Sequence, residues 1–394
     1  MREFFIALTP TGPLRVGDVK ATGSYLDTIT YIPGSVLRGT LAEWLLIKGE
    51  AHRIVPVVRK TRFGNLFPSL YGGVYSLPFP MTALECKAEG GFLGVPRSAE
   101  YRKKEGHGIS DGLLVALAYN ELERMGASFP VPMTLRCRRC KQRLERAIGF
   151  YAKLDYGWVK VDLEKLEQTK VSLSRFRRSS KEGMLYRVLA LRPKGSFVGR
   201  VWLEEEEDLK LLQEAVEKIG VGALTTRGFG RATLKQVDID FPSSEKRLKQ
   251  FNDKLKEVWK DLADLAKQAG NSVPEEPKHT YFSVDLVSPA ILLDKQGLPT
   301  LKLHLQLDGE WLEPVFWATR PTFVGGWSTA WGLPKPTALG AAMGSVYVFR
   351  TEKTLDEITP QLELLEARGV GDRKDEGFGE VLICHPFHTE VRPV

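Results

Sequence analysis

The sequence predicts an α+β chain built from two similar halves, on three observations. Residues 220–230 read GVGALTTRGFG and residues 369–379 read GVGDRKDEGFG, so the same pattern of GxG, five residues and GFG begins at 220 and again 149 residues later, at 369. Each copy follows a segment with apolar residues at helical spacing and enters a short alternating one. The two halves also open alike, with FFIALTP at 4–10 and FSVDLVSP at 282–289. A repeat at fixed spacing is read before anything else because it sets the architecture.

The 394 residues suffice for two core-bearing domains, and 43% hydrophobic with 10% aromatic residues is ordinary globular composition. The first ten residues lack a secretory apolar run, and no later window approaches a membrane span, so a cytosolic protein is expected. A net charge of +7 fits a polyanionic partner. Four cysteines are too few for a disulfide framework in a chain of this size.

In chain order, IPGSVLRG offers Ser35 as an N-cap after a Pro-Gly turn, with Gly34 before it and Arg38 one turn into a helix of residues 35–48. A phosphate could face that helix start; a plainly capped helix with a solvent arginine is the other reading. His52 follows the helix. Residues 80–150 form an insertion expected to be a separate lobe, holding Cys86, His107 and the CRRC of Cys137 and Cys140. Two intervening residues let both sulfurs of a CxxC converge on one ion. SLSRFRRSSKEGMLYR (172–187) places Arg175, Arg177 and Arg178 around Phe176, a pattern suited to backbone neutralisation with a base stacked, or to a solvated loop.

Residues 203–219 read as a helix with an acidic first turn. Residues 246–268 read as an amphipathic helix and 269–279 as a polar linker, so the expected division is 1–245, a connecting helix and linker at 246–278, and 279–394. GGWSTAWGLPKP carries Trp327 and Trp331, suited to stacking on bases, anchoring a neighbour or filling a core. Residues 354–368 read as the second pre-loop helix, with Pro360 implying a late start or a kink.

The glycine loops are neither dinucleotide fingerprints nor P-loops, because they follow helices, enter strands and end in Gly-Phe-Gly. Glycine tolerates positive φ and lets N–H groups approach an anion. The candidate phosphate contacts, RNA contacts if the resemblance given below holds, are therefore Gly220, Gly222, Arg227, Gly228, Phe229, Gly230 and Arg231 in the first loop. In the second they are Gly369, Gly371, Arg373, Lys374, Gly377, Phe378 and Gly379. The competing reading is a tight helix-to-strand connection with Phe229 and Phe378 as core plugs.

Loops of this form resemble those of the RAMP superfamily of CRISPR-associated proteins. The segments 31–45, 62–68 and 325–349 are similar to the large Csx-type subunit of type III-D effector complexes. The resemblance implies two ferredoxin-like βαββαβ domains and a non-catalytic subunit that caps the complex. Such a subunit binds the 5′ handle of the CRISPR RNA and contacts the polymerase-like subunit and a backbone RAMP subunit. It also implies a structural Zn2+ on Cys86, His107, Cys137 and Cys140. Two enzymatic alternatives stay open: an RNA-processing nuclease using His52, or target-RNA cleavage at Asp18, Asp27 or Asp111. A scaffold that contacts only protein is the third alternative.

Overall fold

The computed structural model describes residues 2–17, 25–70, 72–93, 106–129, 135–155, 157–173, 176, 180–328 and 331–391. The first sheet runs, side by side, through Ala232–Gln236, Arg2–Pro10, Ser196–Leu203 and Arg62–Ser69. Counted along the chain, that is fourth, first, third, second, with every neighbour antiparallel. Helix α1 (Gly34–Ile47) lies between its first and second strands, followed by α2 (Ala51–Arg59). Helix α4 (Glu206–Ile219) lies between its third and fourth. Leu37, Leu41 and Leu45 of α1 and Leu212 and Val216 of α4 bury against Ile6, Leu8, Phe63 and Val201 of the sheet. Each such side chain removed from water contributes about 1.5–3 kcal/mol.

The second sheet repeats the order with Val381–Ile383, Thr280–Leu286, Val346–Thr351 and Phe316–Ala318. Helix α6 (Leu355–Arg368) takes the place of α4. It starts at Leu355 behind a Thr354–Glu357 capping box, so the late start expected from Pro360 does not occur; the proline lies within the helix. Between the first and second strands of this half, residues 287–315 form hairpins and no helix.

The connecting helix fills that gap. Helix α5 (Ser244–Gln268), capped by Ser243, was expected to link the halves, yet it is a core element of the second. Its Leu248, Phe251, Leu255, Trp259 and Ala263 share one core with Phe282, Val284, Phe349, Ile358, Leu362 and Ile383. Asn252 clamps α5 to the first strand, donating to Tyr281 O at 2.8 Å and accepting from Tyr281 N–H at 3.0 Å.

The inserted segment 80–150 was expected to stand apart as a lobe. Instead its helix α3 (Leu113–Arg124) buries Leu113, Leu114, Leu117 and Leu122 beside α5 in the core of the second half. An apolar helical face shows that a residue is buried but not against which partner, so the sequence left this docking open. The Ile109–Asp111, Ala83–Cys86 and Leu144–Arg146 strands form a small sheet before and after it. No helix among the described residues is long and apolar enough to cross a membrane.

A buried ion network joins the halves. Arg200, 2% exposed on the first sheet, donates to Glu380 Oε1 at 2.8 and 3.0 Å, to Glu366 Oε1 at 3.2 Å and to Glu3 Oε1 at 3.2 Å. Burial would lower its pKa, but Tyr75 together with the carboxylates of Glu380, Glu3 and Glu366 outweighs that and raises it. Glu366 also accepts from Arg247 of α5 and from Ile383 N–H. Arg62 stacks on Trp202 at 4.2 Å and donates to the carbonyls of Glu366 and Ala367 at the end of α6.

A second buried cluster ties the insertion to the second half. On the short helix α7 (Phe387–Glu390), His388 Nδ1 lies 2.8 Å from Asp111 Oδ2 and Nε2 lies 2.7 Å from Asp285 Oδ1. Burial pulls His388 down, but the two carboxylates more than offset it and raise its pKa to about 10. Asp285 is held below its ordinary value because His388 opposes the effect of burial. The raised histidine stabilises fully below its unfolded pKa of about 6.5, and that contribution disappears as pH climbs through about 10; the lowered aspartate contributes above about pH 4 and loses its effect in acid. Urea denaturation is therefore expected to give falling stability from about pH 6.5 to 10. Asp111→Asn should cost about 3 kcal/mol at neutral pH by leaving a buried charge half-paired.

Candidate nucleic-acid interface

The two glycine loops share one backbone conformation. Gly220 and Gly369, which end α4 and α6, have φ of 76° and 68°; Leu224 and Arg373 have 64° and 55°; Gly230 and Gly379 have 75° and 67°. Their hydrogen bonds repeat too. Val221 N–H donates to Gly230 O at 2.8 Å as Val370 N–H donates to Gly379 O at 2.9 Å. Ala223 N–H donates to Arg15 O as Asp372 N–H donates to Ile291 O. A Cβ on Gly379 would stand 1.7 Å from Val370 O, so that glycine is demanded by packing. Phe229 is buried against Val188 and Ala190, the plug that the tight-connection reading described.

Their surroundings differ. In the first loop Gly222, Arg227 and Gly228 are exposed, and nothing lies within 4 Å of a Cβ built on Gly228. Arg227 Nη1 donates to Tyr186 Oη at 2.7 Å, and neither Arg227 nor the exposed Arg231 meets a carboxylate among the described residues. Tyr186 belongs to a hairpin, Lys165–Leu173 with Ser180–Leu191, whose Lys170 Nζ stands 5.3 Å over the Phe229 ring. At the hairpin tip Phe176 is 96% exposed. Arg175, Arg177 and Arg178 lie outside the described residues.

The second loop is packed into the junction of the halves. A Cβ on Gly377 would lie 2.8 Å from Phe63 O and 3.0 Å from Gly34 Cα. Its charges are largely spent. Arg373 Nη2 donates to Glu376 Oε2 at 2.6 Å and stacks on Phe378 at 5.1 Å. Lys335 Nζ reaches the same carboxylate at 2.8 Å, and Asp375 Oδ2 pairs with Arg38 Nη2 at 3.1 Å. Lys374 is half-buried and makes no ion pair among the described residues.

Helix α1 begins at Gly34 with Pro33 as its N-cap, and Ser35 makes no capping bond. The Gly34 N–H is taken by Asn65 Oδ1 at 3.0 Å, so this amide is committed within the protein. Strand contact fixes the helix start, since a Cβ on Gly34 would lie 2.0 Å from Phe63 O. His52 is exposed on the first turn of α2 and not at the end of α1. Trp331 is 80% exposed at the tip of a hairpin formed by Trp327–Ser328 and Leu333–Pro334. The Trp327 side chain lies outside the described residues, as does Asp18. Asp27 lies in the loop after Tyr25–Leu26 and accepts from Lys165 and from Thr28 N–H, whereas Asp111 is not in a loop but buried on a strand against His388.

Cys86, His107, Cys137 and Cys140 converge, with one ligand atom from each within 4.8 Å of the others. Cys86 ends a strand of the small sheet, and Cys137 and Cys140 sit on a turn closed by Lys141 N–H donating to Cys137 O at 2.8 Å. The Cys86–Cys140 sulfur separation is 3.5 Å and Cys137 Sγ lies 3.6 Å from His107 Nδ1. Tetrahedral zinc with bonds of about 2.3 Å to sulfur and about 2.0 Å to nitrogen requires edges of about 3.5–3.8 Å, so the donor set fits. Burial raises the Cys137 thiol, but backbone N–H groups of Cys140 and Arg139 with the neighbouring thiols bring it down to about 6. Thiolate is the form that binds metal.

Two sheets of one strand order, each closed by a glycine loop of one conformation, define a duplicated α+β protein. The RAMP superfamily model matches residues 7–233, and the chain belongs to that superfamily. Residues 245–386 match a second model, described as CRISPR-associated protein (Cas_Cmr3). No curated protein matches the chain. Among solved structures it is similar to a chain of the type III-B Cmr-beta complex bound to cognate target RNA, at 13% identity and a TM-score of 0.37, covering 96% of both chains. It is also similar to a chain of the Csm3–Csm4 subcomplex of a type III-A interference complex, at 13% identity and a TM-score of 0.34, covering 90% of this chain and 96% of that one.

The two loops separate space from strain. Gly379→Ala, which drives a methyl into Val370 O, is expected to unfold the protein or lower its melting temperature by many degrees. Gly228→Ala has room but keeps a φ of 86°, so it should cost only about 1–2 kcal/mol in thermal unfolding.

Proposed function

We propose that the chain is a non-catalytic, RNA-binding subunit of a type III CRISPR effector complex, acting in the cytoplasm. Its first glycine loop and the adjoining hairpin would hold the sugar-phosphate backbone of the 5′ repeat-derived handle. The observation that carries this is the asymmetry of the loops: the first keeps Arg227 and Arg231 exposed and without a carboxylate partner among the described residues, beside Lys170 of a hairpin whose tip carries the bare ring of Phe176. Free cations on a loop and an exposed aromatic on the adjoining hairpin suit backbone neutralisation and base stacking. The second loop, with Gly34 and Arg38, acts as the latch between the halves.

Each half is read as a ferredoxin-like domain, supported by the shared fourth-first-third-second strand order, with α5 standing in for the first helix of the second domain. The neighbours proposed are the polymerase-like subunit and a backbone RAMP subunit, and the narrower type III-D assignment rests on residues 31–45, 62–68 and 325–349. Zinc is proposed as a structural ion. Cys86, His107, Cys137 and Cys140 would hold it with no open position, and it would cross-link the turn of residues 137–140 to the small sheet.

Filter binding of repeat RNA across a salt series tests the RNA role, with a steep negative slope expected. Arg227→Ala with Arg231→Ala should weaken retention about tenfold and flatten the slope, while absence of retention by the assembled complex would favour a protein-only scaffold. The same RNA should remain intact; cleavage that vanishes in His52→Ala would establish the nuclease reading. Metal analysis of purified protein should find stoichiometric zinc, and chelation or Cys140→Ser should lower the melting temperature.

A further inference from the structure

We propose that Arg15 is a further anion-binding residue of the first glycine loop, its guanidinium taking a phosphodiester oxyanion of single-stranded RNA. The inference rests on the reading of that loop as an RNA grip. Residues 14–16 form a strip held from both sides. Leu14 exchanges backbone hydrogen bonds with Leu191 at 3.0 and 2.7 Å, while Val16 O accepts from Ile29 N–H at 3.1 Å and Val16 N–H donates to Thr28 Oγ1 at 3.1 Å. The Arg15 carbonyl accepts from Ala223 N–H at 2.8 Å and lies 2.4 Å from where a Cβ on Gly222 would stand. Arg15 is thus fixed to the loop by its backbone.

Its side chain is not used by the fold. Arg15 is 9% exposed, yet its guanidinium donates no hydrogen bond and forms no ion pair among the described residues, and its Nε is buried without a partner. Burial lowers the pKa of this group, and Asp27 offsets that only partly. Asp27 is itself engaged by Lys165 at 3.1 Å and by Thr28 N–H at 2.7 Å. Gly17 is exposed, and a Cβ there would lie 3.8 Å from both terminal nitrogens, so the glycine backbone and no side chain of residue 17 lies against the guanidinium. By contrast the buried arginines of the junction, Arg62, Arg200 and Arg247, donate to carboxylates or carbonyls. An unpaired buried cation destabilises the free protein, and a planar fork of donors matches the oxygens of a phosphate. The missing partner is therefore an oxyanion brought by the ligand.

Removing the guanidinium should have opposite effects on stability and binding, which a structural arginine would not. In the full chain, Arg15→Met is expected to melt at or above the temperature of the unsubstituted protein. Its dissociation constant for labelled poly-uridine RNA should rise about tenfold, and its log–log salt slope should shrink by about 0.7, the value for one phosphate contact on a single strand. If Arg15→Met leaves affinity and slope unchanged while Arg227→Ala with Arg231→Ala still weakens binding, this inference fails and the loop reading stands. If neither the unsubstituted protein nor the complex assembled with it retains RNA, both fall. Should Arg15→Met melt lower and bind less, Arg15→Lys decides, because it keeps the stem and charge but not the fork. Reduced retention at an unchanged melting temperature supports the inference, and full retention overturns it.

Discussion

Arg200 is the residue on which the two halves depend. It stands on the third strand of the first sheet and is out of water, and the carboxylates that keep it charged come mainly from the second half: Glu366 of α6 and Glu380, directly behind the second glycine loop. Bringing a guanidinium and two carboxylates out of water is unfavourable unless each is fully paired, and losing one member leaves the others stranded at about 3–5 kcal/mol. Neither half presents a satisfied surface without the other. Arg247 and Arg62 complete the cluster from α5 and the edge strand, so the relative placement of sheets, helices and loop is set by a single charge balance.

That balance explains why a repeated sequence ends in two different environments. Both loops need the same glycines for the same backbone path. The second is drawn into the junction by Glu380 and by the close approach of Gly377 to Gly34 and Phe63, and Arg373 and Asp375 there find partners inside the molecule. The first lies away from the junction and keeps its cations available. Duplication followed by division of labour, one loop outward and one locking the halves together, is a consistent physical account.

The insertion is tied in at both ends. At one end α3 buries leucines beside α5 and Asp111 reaches His388; at the other, three sulfurs and an imidazole converge where the small sheet meets the Cys137–Cys140 turn. Between these ends the small sheet buries Ala83 and Ile109 in a cluster with Phe79, Phe92, Phe150 and Phe387.

The sequence by itself determined what is encoded over short spans. The glycine pattern, the helices before it, the strands after it and the CxxC follow from local periodicity and from the φ that only glycine adopts cheaply, as at Gly379. The partnering of Cys86 and His107 with Cys137 and Cys140 was legible from composition of the insertion, although their convergence was not. Only the tertiary structure decided that α5 belongs to a core and not to a linker, that Ser35 caps nothing because the helix already begins at Gly34 behind Pro33, and that one loop is packed into the junction and the other open. It alone exposed Arg15 as unpaired. These facts depend on which distant charges and apolar faces meet, and a pattern of burial along one chain specifies the face to be covered but not what covers it.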